Sequence, residues 1–265
     1  MQSVTAIVIS WNASELIEKC LEAIKEYGAN IISEIVVIDN ASQDNTVDKI
    51  KTKFPDVKII CNEKNLGFAE AANQGIDISS SEYLLFVNTD AFLLEGCVEK
   101  LFDFISKNDK IAIAAPRLFR HNGSVQKSAT YYPTFFTEFF KSFFQVWINI
   151  KELFYSIKKG YSAGTIRGAC FIARKSVLEK IGKFDESYFF FLEETDLCYR
   201  LKSAGWKIVY LPGAGVIHLS GASVKKANFD GRKQYYTSIL KFSRKHYSSF
   251  HGKLLEIFLR CFNKI

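Results

Sequence analysis

The stretch YFFFLEETDLCYR (residues 188–200) sets three carboxylates, Glu193, Glu194 and Asp196, directly behind four aromatic residues and a leucine. Two readings compete for them. Acids favour the first turn of a helix, where the macrodipole and unpaired N–H groups stabilise them. An apolar wall also raises a carboxylate's pKa, and a carboxyl tuned in that way can serve as a general base. Asp196 and Arg200 stand at i, i+4, the spacing of a structural ion pair on a helix. Elsewhere, polar residues end apolar runs abruptly. LLFVNTDAFL (84–93) breaks at Asn88-Thr89-Asp90, where a hard divalent cation could be held between the Asp90 carboxylate and phosphates; a helix N-cap is the plainer alternative. GVIHLSG (215–221) puts His218 at the end of another such run, after a Pro-Gly turn, and it alone of the four histidines follows a strand pattern. In VVIDNASQDNT (36–46), Asp39 could accept from a nucleobase imide or a ribose hydroxyl, while Ser42, Asp44 and Thr46 resemble turn and cap residues. NLGFAEAANQG (65–75) sets Asn65, Gly67, Asn73 and Gly75 around a short helix. Glycine there permits close backbone approach to a ligand, and the asparagines offer both donors and acceptors. Taken singly, these last two are ordinary.

The elements that must position these residues alternate in an α/β manner. TAIVISW is a β-branched run, followed by a helical pattern over Ser14–Lys25 with Leu16, Ile17, Cys20, Leu21 and Ile24 on one face. EIVVIDN, VKIICN and YLLFVNTD read as further strands, with helices over Thr46–Lys53 and Phe68–Ile78 between them. Apolar strands separated by helices imply a mainly parallel sheet covered on both faces, and such sheets bind ligands beyond the C-terminal ends of their strands. The polar residues at those ends are Ser10–Asn12, Asp39–Asn40, Asn62–Asn65 and Asn88–Asp90, so four strand ends converge on one crevice. Residues 134–150, TFFTEFFKSFFQVWINI, repeat an apolar doublet every four residues and predict a helix with a wide apolar stripe. That helix (about 134–158) either packs on the core or lies in a membrane interface.

At 265 residues, with 48% hydrophobic and 24% charged residues, the chain is of ordinary globular composition and long enough for one large domain or two small ones. Six cysteines lack CxxC pairing, and Cys20, Cys97, Cys170 and Cys198 sit among apolar neighbours, as reduced thiols in a cytosolic chain do. MQSVTAIVI reads as a first strand rather than a signal peptide, and no apolar stretch reaches the roughly 18 residues of a membrane-spanning helix. The net charge of +7 is concentrated at one end. Residues 225–265 hold ten Lys/Arg against two acids, which leaves the remaining 224 residues almost neutral. That distribution argues against a nucleic-acid-binding body. It predicts a basic amphipathic helical tail, with Leu254, Leu255, Ile257, Phe258, Leu259 and Phe262 among basic residues, meeting an anionic membrane surface.

The ordered motifs VISWN (8–12), VVIDNASQDNT, NLGFAEAANQG, FVNTD (86–90), RGACFIARKSVLEKIGKFDESYFFFLEETDLCYRLKSAGW (167–206) and PGAGVIHLSGAS (212–223) resemble the family-2 inverting glycosyltransferases with a GT-A fold, especially the bacterial rhamnosyltransferase-like branch. The resemblance covers about residues 4–224, leaving 225–265 as the tail. It implies a GT-A, Rossmann-like α/β domain and a nucleotide-diphosphate-sugar donor, for which rhamnose is the commonest sugar in that branch. It also implies Mg²⁺ or Mn²⁺ and displacement with inversion onto a hydroxyl of a glycan or lipid-linked acceptor in surface-polysaccharide synthesis. By the same resemblance Asp39 holds the base or ribose, with Ser10, Asn12, Asn65, Gly67, Asn73 and Asn88 on the donor side. Asp90 ends the metal-binding triplet, whose first position is Asn88 here instead of an acid, and His218 is a second metal ligand. Glu194 is the base, one methylene longer than the aspartate more usual there, and Glu193 and Trp206 face the acceptor. The expected location is cytoplasmic and peripheral, on the inner face of the cell membrane. A non-catalytic nucleotide-sugar or carbohydrate-binding module on the same scaffold is the alternative. VISWNASEL lacks the glycine-rich loop of a nucleotidyltransferase and the GxGxxG of a dehydrogenase.

Overall fold

In the computed structural model, residues 4–130, 132–134, 137, 161–220 and 230–261 are described. The first four major strands, β1 (Val4–Ser10), β2 (Ile32–Asp39), β3 (Lys58–Cys61) and β4 (Tyr83–Asn88), run parallel in the order β3-β2-β1-β4. Their register aligns Ser10 with Asp39, Asp39 with Cys61 and Ile9 with Asn88, so the predicted polar ends form one row. Helices α1 (Ile17–Gly28), α2 (Thr46–Lys53) and α3 (Gly67–Ile78) make the crossovers. α1 starts three residues later than the apolar periodicity suggests and runs on to Gly28.

The sheet then departs from the simple parallel pattern. After β5 (Ala91–Leu93) and α4 (Cys97–Ser106) comes β6 (Ile111–Phe119), with a small hairpin strand β7 (Val125–Gln126) on its end. β8 (Ala129–Thr130) pairs with β10 (Thr165–Ile166), and β9 (Tyr161–Ser162) joins the main sheet. β11 (Cys170–Arg174) inserts antiparallel between β4 and β6, and β12 (Lys207–His218) lies parallel to β6 with β5 on its far side. The Pro-Gly pair expected as a turn before His218 is instead inside β12. Residues 212–214 bulge out between Leu211, opposite Pro116, and Gly215, opposite Arg117. A bulge is where a strand tolerates proline, which has no N–H to give the ladder.

Because the strands are buried on both faces, alternate residues feed two cores. Val4, Ala6, Val8, Leu85 and Val87 pack with α1 and α4, while Ile7, Leu84, Phe86 and Phe171 pack with α3, α5 (Lys175–Lys180) and α6 (Glu193–Ser203). Each large apolar side chain buried in this way contributes roughly 1.5–3 kcal/mol.

The C-terminal helices α7 (Gly231–His246) and α8 (Ser249–Cys261) fall within the helical tail expected over 225–265, and they pack on the body. Ile239, Leu240, Phe242, Leu255, Phe258 and Leu259 form a third core with Tyr188 and Leu192, on the aromatic turn ahead of α6. Three residues of the expected membrane face are therefore spent inside the protein; Ile257 stays outward and Phe262 lies outside the described residues. The segment 134–158 also lies outside them, apart from Thr134 and Thr137. Among the described residues no helix is long and apolar enough to cross a membrane, and all six cysteines are free thiols.

Candidate active site

The loops after β1 and β2 are stitched together by short polar side chains. Asp39 is buried, and its carboxylate accepts from the Ser42 N–H (2.8 Å) and the Ser42 hydroxyl (2.6 Å). The same Ser42 oxygen accepts from the Asn12 N–H at 2.8 Å, and Asn12 Oδ1 accepts from the Gln43 N–H at 2.8 Å. Asn12 itself sits at φ 47°, a conformation asparagine tolerates better than most residues. Ser10 is fully buried, and its hydroxyl finds no hydrogen-bond partner among the described residues. Each carboxylate oxygen of Asp39 retains a lone pair beyond those used by Ser42, so this corner still offers acceptors to a ligand.

Asn65 and Gly67 belong to the turn that starts α3. Asn65 Oδ1 accepts from the Gly67 N–H at 2.9 Å, and the Gly67 carbonyl accepts from Asn40 Nδ2 at 2.9 Å. Gly67 has φ +82°, and a Cβ added there would lie well inside van der Waals contact of the Phe189 carbonyl oxygen. That carbonyl accepts from the Phe68 N–H at 3.2 Å. The glycine therefore lets the aromatic turn close onto α3. Asn73 does not join the donor side. Its amide donates to the Phe184 carbonyl (3.0 Å) and to Glu186 (2.8 Å), and its oxygen accepts from the Phe184 N–H (3.0 Å). This asparagine is consumed in fastening the loop before the aromatic turn.

Beyond β4 the chain turns through Asn88, Thr89 and Asp90 into β5. Ala91 is directly opposite His218 in the antiparallel β5–β12 pair, and the Asp90 carbonyl accepts from the Leu219 N–H at 3.0 Å. Register alone therefore brings together two residues 128 positions apart. Asp90 Oδ1 lies 3.4 Å from His218 Nε2, and both residues are nine-tenths or more buried. His218 Nδ1 donates to Gln126 Oε1 at 2.7 Å. A neutral imidazole with its hydrogen on Nδ1 turns a bare Nε2 lone pair toward the carboxylate. A buried carboxylate and a buried imidazole nitrogen facing each other can share a proton or a cation, and as one oxygen and one nitrogen donor they fit a divalent metal. Among the described residues no third His, Cys, Asp or Glu joins them, which leaves the other coordination positions to phosphates and water.

β11 runs against its neighbours, so it begins at the edge where they end. Asn88 N–H donates to the Ala169 carbonyl at 2.9 Å, placing Arg167 and Gly168 close to the Asn88–Asp90 turn. The Glu194 side chain packs on Gly168, at 3.7–3.9 Å from where a Cβ would stand. Glu193 and Glu194 open α6 behind Phe191 and Leu192, both at φ 68°. Two consecutive non-glycine residues in the left-handed region cost about 1–2 kcal/mol each. The third core, into which Leu192 is packed, holds them there. Both carboxyl groups favour the neutral acid. Burial pushes Glu194 up to about 7, against the N–H groups of Glu194 and Thr195 and the charge of Arg167. Glu193 is buried and held well above the usual carboxylate range, by desolvation first and then by the charge of Glu194; its Oε2 finds no partner among the described residues. Glu193 is the more buried of the two, so it presents less of itself to an acceptor hydroxyl than Glu194 does.

Asp196 is structural, as the i, i+4 spacing suggests: Arg200 Nε donates to it at 2.7 Å. It also accepts from Lys245 Nζ (2.7 Å) and His246 Nε2 (2.7 Å) of α7. Trp206, by contrast, precedes Lys207 at the start of β12, whereas His218 ends it. At roughly 3.3 Å per residue, a twelve-residue strand puts Trp206 at the opposite edge of the sheet, where it packs on the second core. The acceptor role expected for it does not survive.

Sequence reading passed over Gln126, Arg167, Gly168 and the Lys245–His246 pair. Gln126 lies on a two-residue strand with no periodicity to mark it, and the two α7 residues resemble the rest of a basic tail. Arg167 and Gly168 open a motif that was legible, without a signal of their role.

Residues 5–182 match the family model for Glycosyl transferase family 2. An N-acetylglucosaminyl-diphospho-decaprenol L-rhamnosyltransferase of Mycobacterium tuberculosis is 26% identical over 201 residues, covering 69% of this chain and 66% of that protein. A low-salt glycan biosynthesis hexosyltransferase of Haloferax volcanii is 24% identical over 241 residues, covering 89% and 73%. Among solved structures, GalNAc-T7 with UDP, GalNAc and Mn²⁺ superposes with a TM-score of 0.68 at 15% identity, over 92% of this chain and 48% of that one. The mannosyltransferase PcManGT from Pyrobaculum calidifontis, in complex with GDP-Man and Mn²⁺, gives 0.63 at 16% identity, over 96% and 68%. The expected α/β, GT-A-like fold is the one observed.

Proposed function

The chain belongs to glycosyl transferase family 2, and on that premise we propose that it moves a sugar from a nucleotide-diphosphate donor to a hydroxyl of a glycan or lipid-linked acceptor, inverting the anomeric centre. The observation that carries this reading is the meeting of three chemistries on one sheet edge. Asp39 and Ser10 offer a nucleoside corner, Asp90 faces His218 as a cation-holding pair, and Glu194 stands beside Gly168 with its carboxyl displaced to about 7. Glu194, once deprotonated, takes the proton of the acceptor hydroxyl as its oxygen bonds to the anomeric carbon. The bond from that carbon to the diphosphate breaks on the opposite face, which inverts the centre. Asp90 and His218 would hold the Mg²⁺ or Mn²⁺, which when bound offsets negative charge on the departing diphosphate.

The mycobacterial relative's name specifies L-rhamnose and a decaprenol-linked acceptor, which supports rhamnose as the first donor to try and a lipid-linked acceptor as the first partner. A peripheral position at the membrane would use the outer face of α8, where Phe250 is 77% and Ile257 60% exposed, flanked by the exposed Lys253 and Arg260. Flotation with anionic liposomes tests this; a Phe250→Asp, Ile257→Asp double variant that floats like the wild type removes the membrane reading. The activity is tested by a donor panel scored for nucleoside-diphosphate release with acceptor present, with and without Mn²⁺ or Mg²⁺. Release that depends on metal and acceptor is expected. Release that persists in Asp90→Ala and Glu194→Gln would sink the assignment.

A further inference from the structure

We infer that Gln126 is a positioning residue for the metal site, fixing the tautomer of His218; the inference rests on the cation-holding reading of Asp90 and His218. The sheet geometry makes the contact specific. Leu118 of β6 pairs on one side with Gln126 and on the other with Val216, and His218 is two residues beyond Val216. Side chains alternate with a period of two, so Gln126 and His218 rise from the same face of the sheet across β6. The result is a 2.7 Å hydrogen bond between two residues that are only 5% and 6% exposed.

A histidine free in water carries its neutral-state hydrogen mainly on Nε2, the nitrogen that here faces Asp90. An acceptor at Nδ1 favours the other form: the Gln126 oxygen is at full hydrogen-bond distance, 2.7 Å, whereas Asp90 Oδ1, at 3.4 Å from Nε2, is beyond the ordinary N–H···O range. Gln126 thereby removes the hydrogen from Nε2 and directs a lone pair at the space beside Asp90 Oδ1, 3.4 Å away. It also holds the ring plane. The hairpin 117–128 thus contributes to the site without touching substrate.

The test needs no donor. Long-range proton–nitrogen correlation of the four histidines near pH 8 should show the His218 ring with its hydrogen on Nδ1 in the wild type. Gln126→Met, similar in length and without the carbonyl, should move it to Nε2 and weaken Mn²⁺ binding in the presence of UDP or dTDP by about 10–100-fold, the usual cost of losing a residue that orients a metal ligand. Gln126→Glu restores an acceptor and should return both the tautomer and the affinity to near wild type. An Nε2–H ring in the wild-type protein overturns the inference. So does a Met variant unchanged in tautomer and affinity, or a Glu variant as weak as the Met variant. If Gln126→Met fails to fold, the wild-type tautomer and the Glu variant still decide. Mn²⁺ held equally by wild type and His218→Ala overturns the metal reading itself, and the metal-free spectrum tells that failure apart.

Discussion

Replacing Glu194 with glutamine should remove activity and, as pH rises above 4.5, stabilise the protein relative to the wild type. In the folded chain burial moves this carboxyl from 4.5 to about 7. A displacement of that size disfavours the charged form by on the order of 3 kcal/mol. The folded-state pKa is raised, so the neutral acid's stability is fully present below 4.5 and is lost as pH rises through about 7. Glutamine is uncharged throughout and escapes that loss. The variant should match the wild type at pH 4.5 and exceed it at pH 8 by up to about 3 kcal/mol, an upper bound because Glu193 shares the same desolvated turn. Removing a general base costs about 10²–10⁴ in kcat/KM, and wild-type kcat/KM should itself climb through pH 7. Urea unfolding at the two pH values and diphosphate-release kinetics provide the measurements. Equal stability at pH 8, or turnover within tenfold of wild type, would refute the assignment of Glu194 as a desolvated base.

Asp196→Asn should leave Arg200, Lys245 and His246 without their shared carboxylate and cost about 3–5 kcal/mol; hydrogen exchange should rise first in α7 and α8. Acid should act in the same place. Burial alone would raise Asp185, but hydrogen bonds from Lys245 and Ser187 hold it at about 2, so its contribution is present above 3.8 and lost as pH falls through about 2. Gly67→Ala should cost at least about 1 kcal/mol through its positive φ alone, and more through the Phe189 carbonyl. Its donor KM should rise as the Asn65 turn shifts, and a variant with unchanged stability and KM would contradict the close approach described at α3.

The row of strand ends was legible because parallel strands write their period, and their polar termini, into contiguous sequence. Thr46–Lys53 is the helix its pattern predicts, and the first turn of α6 holds the acids that favour such positions. What escaped was set by pairing between distant strands. Nothing near Gln126 announces His218, and nothing in α7 distinguishes Lys245 from its neighbours until Asp196 is seen beside it. Trp206 shows the reverse error, since the resemblance grouped it with Glu193 at the acceptor, and the strand that follows it begins at the opposite edge of the sheet. Asn73 was misread because an amide looks the same whether it waits for a ligand or fastens a loop.

The insertion of β11 between β4 and β6 has a consequence for how the chain is made. A ribosome delivers β4 and β6 well before β11, and the place between them has to stay open until residue 174 has emerged. Until then two apolar strands present unpaired edges, the form most prone to pairing with another molecule. Synthesis at 5–20 residues per second makes that interval several seconds long. Fragments that stop short of β11 should therefore aggregate rather than yield a smaller nucleotide-binding unit, even though they contain every residue of the nucleoside corner. β12, which lies between β6 and β5, emerges later still, so the half of the sheet beyond β4 closes only after residue 218, and a shortened version of this protein must retain both inserted strands.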